Sequence, residues 1–200
     1  MLEHDLIKAN EDLFTVSLLA KNMGWGAVSE QTFHRVIYLA QVLYSFKHKD
    51  INIFNHYHFT VAPFGPFSNL IMRGLAYLKG YFFLVIDEDG GLAINPHVTR
   101  PNFSIPDREI WLKTIMLMLG KYGEKQVFGF IINDPSYENA LLTNNMGGVD
   151  TTSNDSVTLK VLNDFKCAFE QTLDESIFIS DEKYIELYFD YVFGQMIIGN

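Results

Sequence analysis

Apolar residues recur at three- and four-residue spacing along most of this chain and alternate only over a short middle stretch. Over residues 5–22, Leu6, Leu13, Val16, Leu19 and Ala20 fall on or near one side of a helix that stops before Gly24-Trp25-Gly26. Ser29 caps a second helix, with Glu30 in its first turn. Phe33, Val36, Ile37, Ala40, Leu43 and Tyr44 form its buried face, and Lys47, His48 and Lys49 sit near its end. Residues 51–62 read as extended, Phe59 and Val61 alternating with His58 and Thr60.

A short helix follows. Gly65 suits its N-cap and Pro66 its first position, and Leu70, Ile71, Gly74, Leu75 and Leu78 make one stripe. Gly80 closes it where a left-handed residue is needed. Asn69, Arg73, Ala76, Tyr77 and Lys79 stay outside that stripe as a presented face. The β-formers Tyr81–Ile86, the turn Asp87-Glu88-Asp89-Gly90-Gly91 and Leu92-Ala93-Ile94 then predict a hairpin.

Two helices, a short strand, a helix and a hairpin describe a winged helix-turn-helix over 1–98. Beyond the two-proline connector HVTRPNFSIP, residues 107–200 read as a helical domain, so the expected class is α+β, mostly helical. In that second domain Asp107 caps IWLKTIMLML, which is apolar nearly all round and belongs at its centre. Helical segments near 124–132 and 137–142 flank Asn133-Asp134-Pro135. The polar, glycine-containing stretch 143–156 reads as a mobile surface loop. A helix over 157–173 turns Leu159, Leu162, Phe165, Phe169 and Leu173 inward. Ile177–Ile179 forms an extended link, and a last helix, capped by Ser180, carries Tyr184, Leu187, Tyr188, Tyr191 and Val192 on one stripe.

Charge narrows the partners. The net charge of −9 is uneven: residues 1–100 hold 8 Lys/Arg against 9 Asp/Glu, and 101–200 hold 7 against 15. An acidic second half and three acids in the hairpin turn repel phosphate and favour a basic protein partner. The start lacks a basic, then apolar, leader, and no apolar run spans a bilayer, so the expected location is the cytoplasm, with no membrane partner. The single cysteine, Cys167, excludes an internal disulfide and reads as a small core residue.

Candidate chemistry is sparse. On a strand, His56 and His58 face one side as metal ligands often do, but no third ligand accompanies them at a fixed spacing. Phosphate-loop, dinucleotide, nucleophile-elbow and zinc-protease motifs are absent, so neither enzyme activity nor a cofactor is expected. Arg73 and Tyr77, one turn apart, could meet a phosphate or base, grip a partner's carboxylate, or form an ordinary solvated face.

At YHFTVAPFGPFSNLIMRGLAYLKGYFFLVI, with the preceding FHRVIYLAQVLYSF, the chain resembles the middle component of three-component, Lamassu-type antiphage defence systems. The likeness covers about the first half of the chain. It implies a winged-helix accessory subunit without catalytic activity, docked on an SMC-like ABC ATPase. Such a subunit helps hold or release an effector, often a nuclease, and meets DNA only through the complex. The partner interface it implies comprises Phe64, Pro66, Phe67, Asn69, Arg73 and Tyr77. Three other readings compete: an antitoxin of the Panacea-like kind, which has a similar Gly-Pro turn; a winged-helix transcriptional regulator that binds DNA as a dimer, through Arg73; and an enzyme with an unrecognised carboxylate site, for which no residue pattern speaks.

Overall fold

The computed structural model describes residues 2–49, 51–99, 106–143, 148–151, 156–174 and 177–198. Helices α1 (Leu2–Asn22) and α2 (Glu30–Lys47) are followed by strands β1 (Thr60–Ala62) and β2 (Gly65–Phe67), and then by α3 (Asn69–Gly80). Strands β3 (Leu84–Ile86) and β4 (Leu92–Ile94) complete the first half. The second half holds α4 (Pro106–Gly120), a 3-10 turn (Glu124–Gln126), α5 (Val127–Ile132), α6 (Pro135–Leu142), α7 (Val157–Glu170) and α8 (Asp181–Ile198). The class is α+β and mostly helical, with two antiparallel hairpins: β1 to β2, Thr60 opposite Phe67, and β3 to β4, Leu84 opposite Ile94. No helix among the described residues is long and apolar enough to cross a membrane.

Helix α2 is the axis. Every residue from Thr32 to Phe46 except Arg35 is buried, because α1, α3, α4, α5, α7 and α8 all pack on it. Buried residues from both halves form one continuous cluster, so the connector at 97–106 does not separate two cores. Helix α3 lies against α1 at a glycine: a Cβ on Gly74 would come within 2.6 Å of Leu13 Cδ1.

Several expectations change. Gly65 and Pro66 belong to β2, not to the helix, because Pro63-Phe64 makes a two-residue turn that returns the chain along β1. Ser68 then takes the N-cap position of α3. Gly80 is not left-handed; Phe82, with φ +59°, takes that conformation. Only 60–62 of the extended segment is strand, since 53–56 turns to let Gln41 Nε2 donate to the Phe54 and Tyr57 carbonyls.

In the second half, Asp107 lies inside the first turn of α4, which starts at Pro106. That helix packs on α1 and α2 and leaves Ile110 and Leu117 exposed, so it is not central. Cys167 is exposed because α7 turns Leu159 and Leu162 inward instead. Tyr191 is likewise outward, and Ile185 and Phe189 replace it on the buried side of α8. Of the stretch expected as a mobile loop, 144–147 and 152–155 lie outside the described residues. At its centre the Val149 N–H donates to the Phe59 carbonyl at 2.9 Å, and Val149 and Thr151 are buried.

Candidate functional site

The surface around α3 is built on its stripe. Ile71, Gly74, Leu75 and Leu78 face the core, so Asn69, Arg73, Ala76 and Tyr77 face solvent. The β1–β2 hairpin stands beside the start of this helix. Its tip is fixed from below: Arg35 donates to the Phe64 carbonyl through Nη2 at 2.7 Å and Nε at 3.3 Å, and its guanidinium lies 4.5 Å from the Phe128 ring centre. Tyr137 donates to the Ala62 carbonyl at 3.1 Å. With its backbone held, Phe64 projects outward, 68% exposed.

His34 sets the junction between β2 and α3. Its Nδ1 accepts from the Ser68 N–H at 3.0 Å, and its ring stacks on Phe67 at 5.1 Å. That bond needs a bare Nδ1. Burial holds the imidazole down at about 4; the charge of Glu30 opposes that shift, and Arg35 adds a smaller push downward.

Between the hairpin and α1 lies a cleft of about 370 Å³, lined by Asp5, His56, His58, Phe67, Asn69 and Arg73 among others. Its floor rests on a buried ion pair. Arg108, at the start of α4, and Asp12, on α1, make a bidentate contact, and Tyr57 donates to the same carboxylate at 2.7 Å. Burial pushes the Asp12 carboxyl up, and Arg108 and Tyr57 oppose that shift. His56 Nε2 lies 3.2 Å from Arg108 Nη2; an arginine only donates, so Nε2 accepts and Nδ1 carries the proton. Burial and then the charges of Arg108, Lys8, His58 and His4 hold His56 down at about 3. The charged side chains on its lining are one base, Arg73, and one acid, Asp5. Arg73, Asn69 and the first turn of α3, where Ser68 makes no side-chain cap, could take a carboxylate or phosphate there.

The six residues expected at an interface therefore divide. Phe64, at the tip of the hairpin, and Asn69, Arg73 and Tyr77, along α3, are exposed. Pro66 is buried and Phe67 half-buried against His34, because they form β2, so these two shape the hairpin and do not present a surface. Among the described residues no group of three or more His, Cys, Asp or Glu is placed to hold a metal; His56 points to Arg108 and His58 to solvent. Sequence reasoning missed Asp12, His34, Arg35 and Arg108. Two of them left a trace: Asp12 directly precedes Leu13 of the apolar stripe of α1, and Arg108 lies in the first turn of a helix that is otherwise mostly apolar.

Compared with protein families, curated proteins and solved structures, the chain matches none of them.

Proposed function

We propose that this protein is a non-catalytic accessory subunit that docks on a larger protein, as the resemblance to Lamassu-type middle components implies. The partner is an SMC-like ABC ATPase, and the subunit helps it hold or release an effector. On this reading α2, the β1–β2 hairpin, α3 and the β3–β4 hairpin form a winged helix whose wing tip is acidic.

One observation carries the proposal. The β1–β2 hairpin is anchored from within the fold at both ends of β2, by Arg35 at the Phe64 carbonyl and by His34 at the Ser68 N–H, while Phe64, Asn69, Arg73 and Tyr77 are left exposed. A protein partner suits this surface: an aromatic anchor beside an arginine is a typical hot-spot pairing. A duplex suits it poorly, since Asp87, Glu88 and Asp89 at the hairpin tip repel phosphate.

Co-expression with the genes beside its own tests the proposal. The chain is expected to purify with the ATPase. An ATPase and effector that assemble fully without it would overturn the reading.

A further inference from the structure

The end of α3 holds a bulky residue where the backbone asks for glycine. The Phe83 N–H donates to the Leu78 carbonyl at 2.8 Å and the Phe82 N–H to the Lys79 carbonyl at 3.1 Å. This 6→1 and 5→2 pair is a Schellman ending, whose first residue past the cap is left-handed and is usually glycine. Here that residue is Phe82, at φ +59°. A glycine is present nearby, at Gly80, but two positions too early to serve.

The strained conformation is over-determined. Asn95 Nδ2 donates to the Phe82 carbonyl at 2.8 Å, and Phe83 packs edge-on to Phe14 in the interior. The Phe82 ring contributes little to that interior, being 70% exposed. Exposed apolar side chains flank it in sequence: Tyr77 and Tyr81 lie with ring centres 4.4 Å apart, and Tyr81 and Ile86 are each 65% exposed. Strain retained at an exposed aromatic side chain is a mark of use outside the fold.

We infer that Phe82, with Tyr77, Tyr81 and Ile86, is an apolar anchor surface for a basic, apolar segment of a partner protein. Charge selects the occupant. The acidic turn 87–89 adjoins Ile86 at the tip of the hairpin, so a lysine- or arginine-bearing protein segment gains where a nucleic acid or anionic lipid surface is repelled. The inference deepens the subunit reading by naming which end of α3 docks and what it meets.

Phe82→Gly separates anchor from scaffold, because the two roles move in opposite directions. Relief of the left-handed strain raises the melting temperature by about 3 °C, while loss of the ring weakens binding at least tenfold. Two probes are used: a purified SMC-like ATPase, the partner of the proposed function, and an amphipathic Lys/Leu helical peptide with a Glu/Leu peptide as its charge-reversed control. The expected result is tighter binding of the Lys/Leu peptide, hydrogen-exchange protection confined to 77–89, and loss of both peptide and ATPase binding in Phe82→Gly.

If the ATPase binds wild type and Phe82→Gly equally, the anchor inference fails while the subunit reading stands. Lys/Leu peptide protection at 77–89 without any ATPase binding leaves the anchor and overturns the subunit reading. Equal binding of the two peptides, or protection elsewhere, overturns the choice of a basic occupant. A Phe82→Gly protein that melts lower than wild type contradicts the strain on which the inference rests.

Discussion

The Tyr38 hydroxyl donates to the Asp134 carboxylate at 2.6 Å, joining residues 96 apart in sequence across the middle of the protein. Asp134 also accepts from Thr158 Oγ1 at 2.7 Å and from the Tyr137 N–H at 3.0 Å, so one buried carboxylate ties α2, α6 and α7 together. Burial pushes its pKa up, and these donors counter that shift. Tyr38→Phe removes one donor and leaves the carboxylate less satisfied. Denaturant unfolding is expected to show a loss of about 1–3 kcal/mol. Asp134→Ala loses the N-cap of α6 as well, and is expected to unfold at lower denaturant than Tyr38→Phe.

The Asp12–Arg108 pair under the cleft should show the asymmetry of buried ions. Arg108→Met strands the Asp12 carboxylate and leaves the Ile53 carbonyl without its donor at 2.6 Å. A loss of about 3–5 kcal/mol is expected. Replacing both partners, with Asp12→Leu added, should lose less than Arg108→Met alone, because no charge is then left buried and unpaired. Urea titration of the two single variants and the double variant measures the coupling.

Acid should loosen the hairpin junction. His34 is held at about 4 in the fold against an ordinary value near 6.5, so the unfolded chain binds more protons between those two pH values. Stability tied to this residue is therefore complete above about pH 6.5 and is lost as pH falls toward 4, at up to about 1.4 kcal/mol per pH unit. Asp134, whose pKa is raised, works with the opposite sign: the folded state takes up its proton first as pH falls. The difference between wild type and His34→Asn isolates the histidine, since the asparagine Oδ1, at the position of Nδ1, can still accept from the Ser68 N–H without titrating. The variant is expected to lose less stability than wild type from pH 7 to pH 4.5.

Helix positions were legible wherever apolar periodicity was strong. Helices α2, α7 and α8 begin where predicted, α3 keeps its buried stripe although it starts three residues later than expected, and the β3–β4 hairpin lies on either side of its acidic turn. Periodicity could not tell which long-range partner a residue would find. Gly65-Pro66 satisfies the local rules for a helix start, yet pairing with Val61 and Ala62 uses the same residues as a strand. Gly80 is the obvious terminator, yet the helix end is set by Phe83 reaching Phe14, which moves the left-handed position to Phe82.

The candidate site was legible in part for the same reason. Asn69, Arg73 and Tyr77 are exposed because they oppose the buried stripe of α3, and that opposition is a local property. The supports of the site, His34, Arg35, Asp12 and Arg108, act through contacts 29 to 96 residues away, which no local pattern carries.

The central claim is that the exposed face of α3 meets a protein. It is tested by the affinity of the purified chain for a purified SMC-like ATPase, the proposed partner, measured for wild type, Arg73→Ala and Tyr77→Ala. Both substitutions lie outside the buried stripe and should leave the melting temperature within about 2 °C. A wild-type complex weakened at least tenfold by each substitution is expected. Equal affinity for all three proteins, or no wild-type complex together with salt-sensitive duplex binding that Arg73→Ala abolishes, would contradict it.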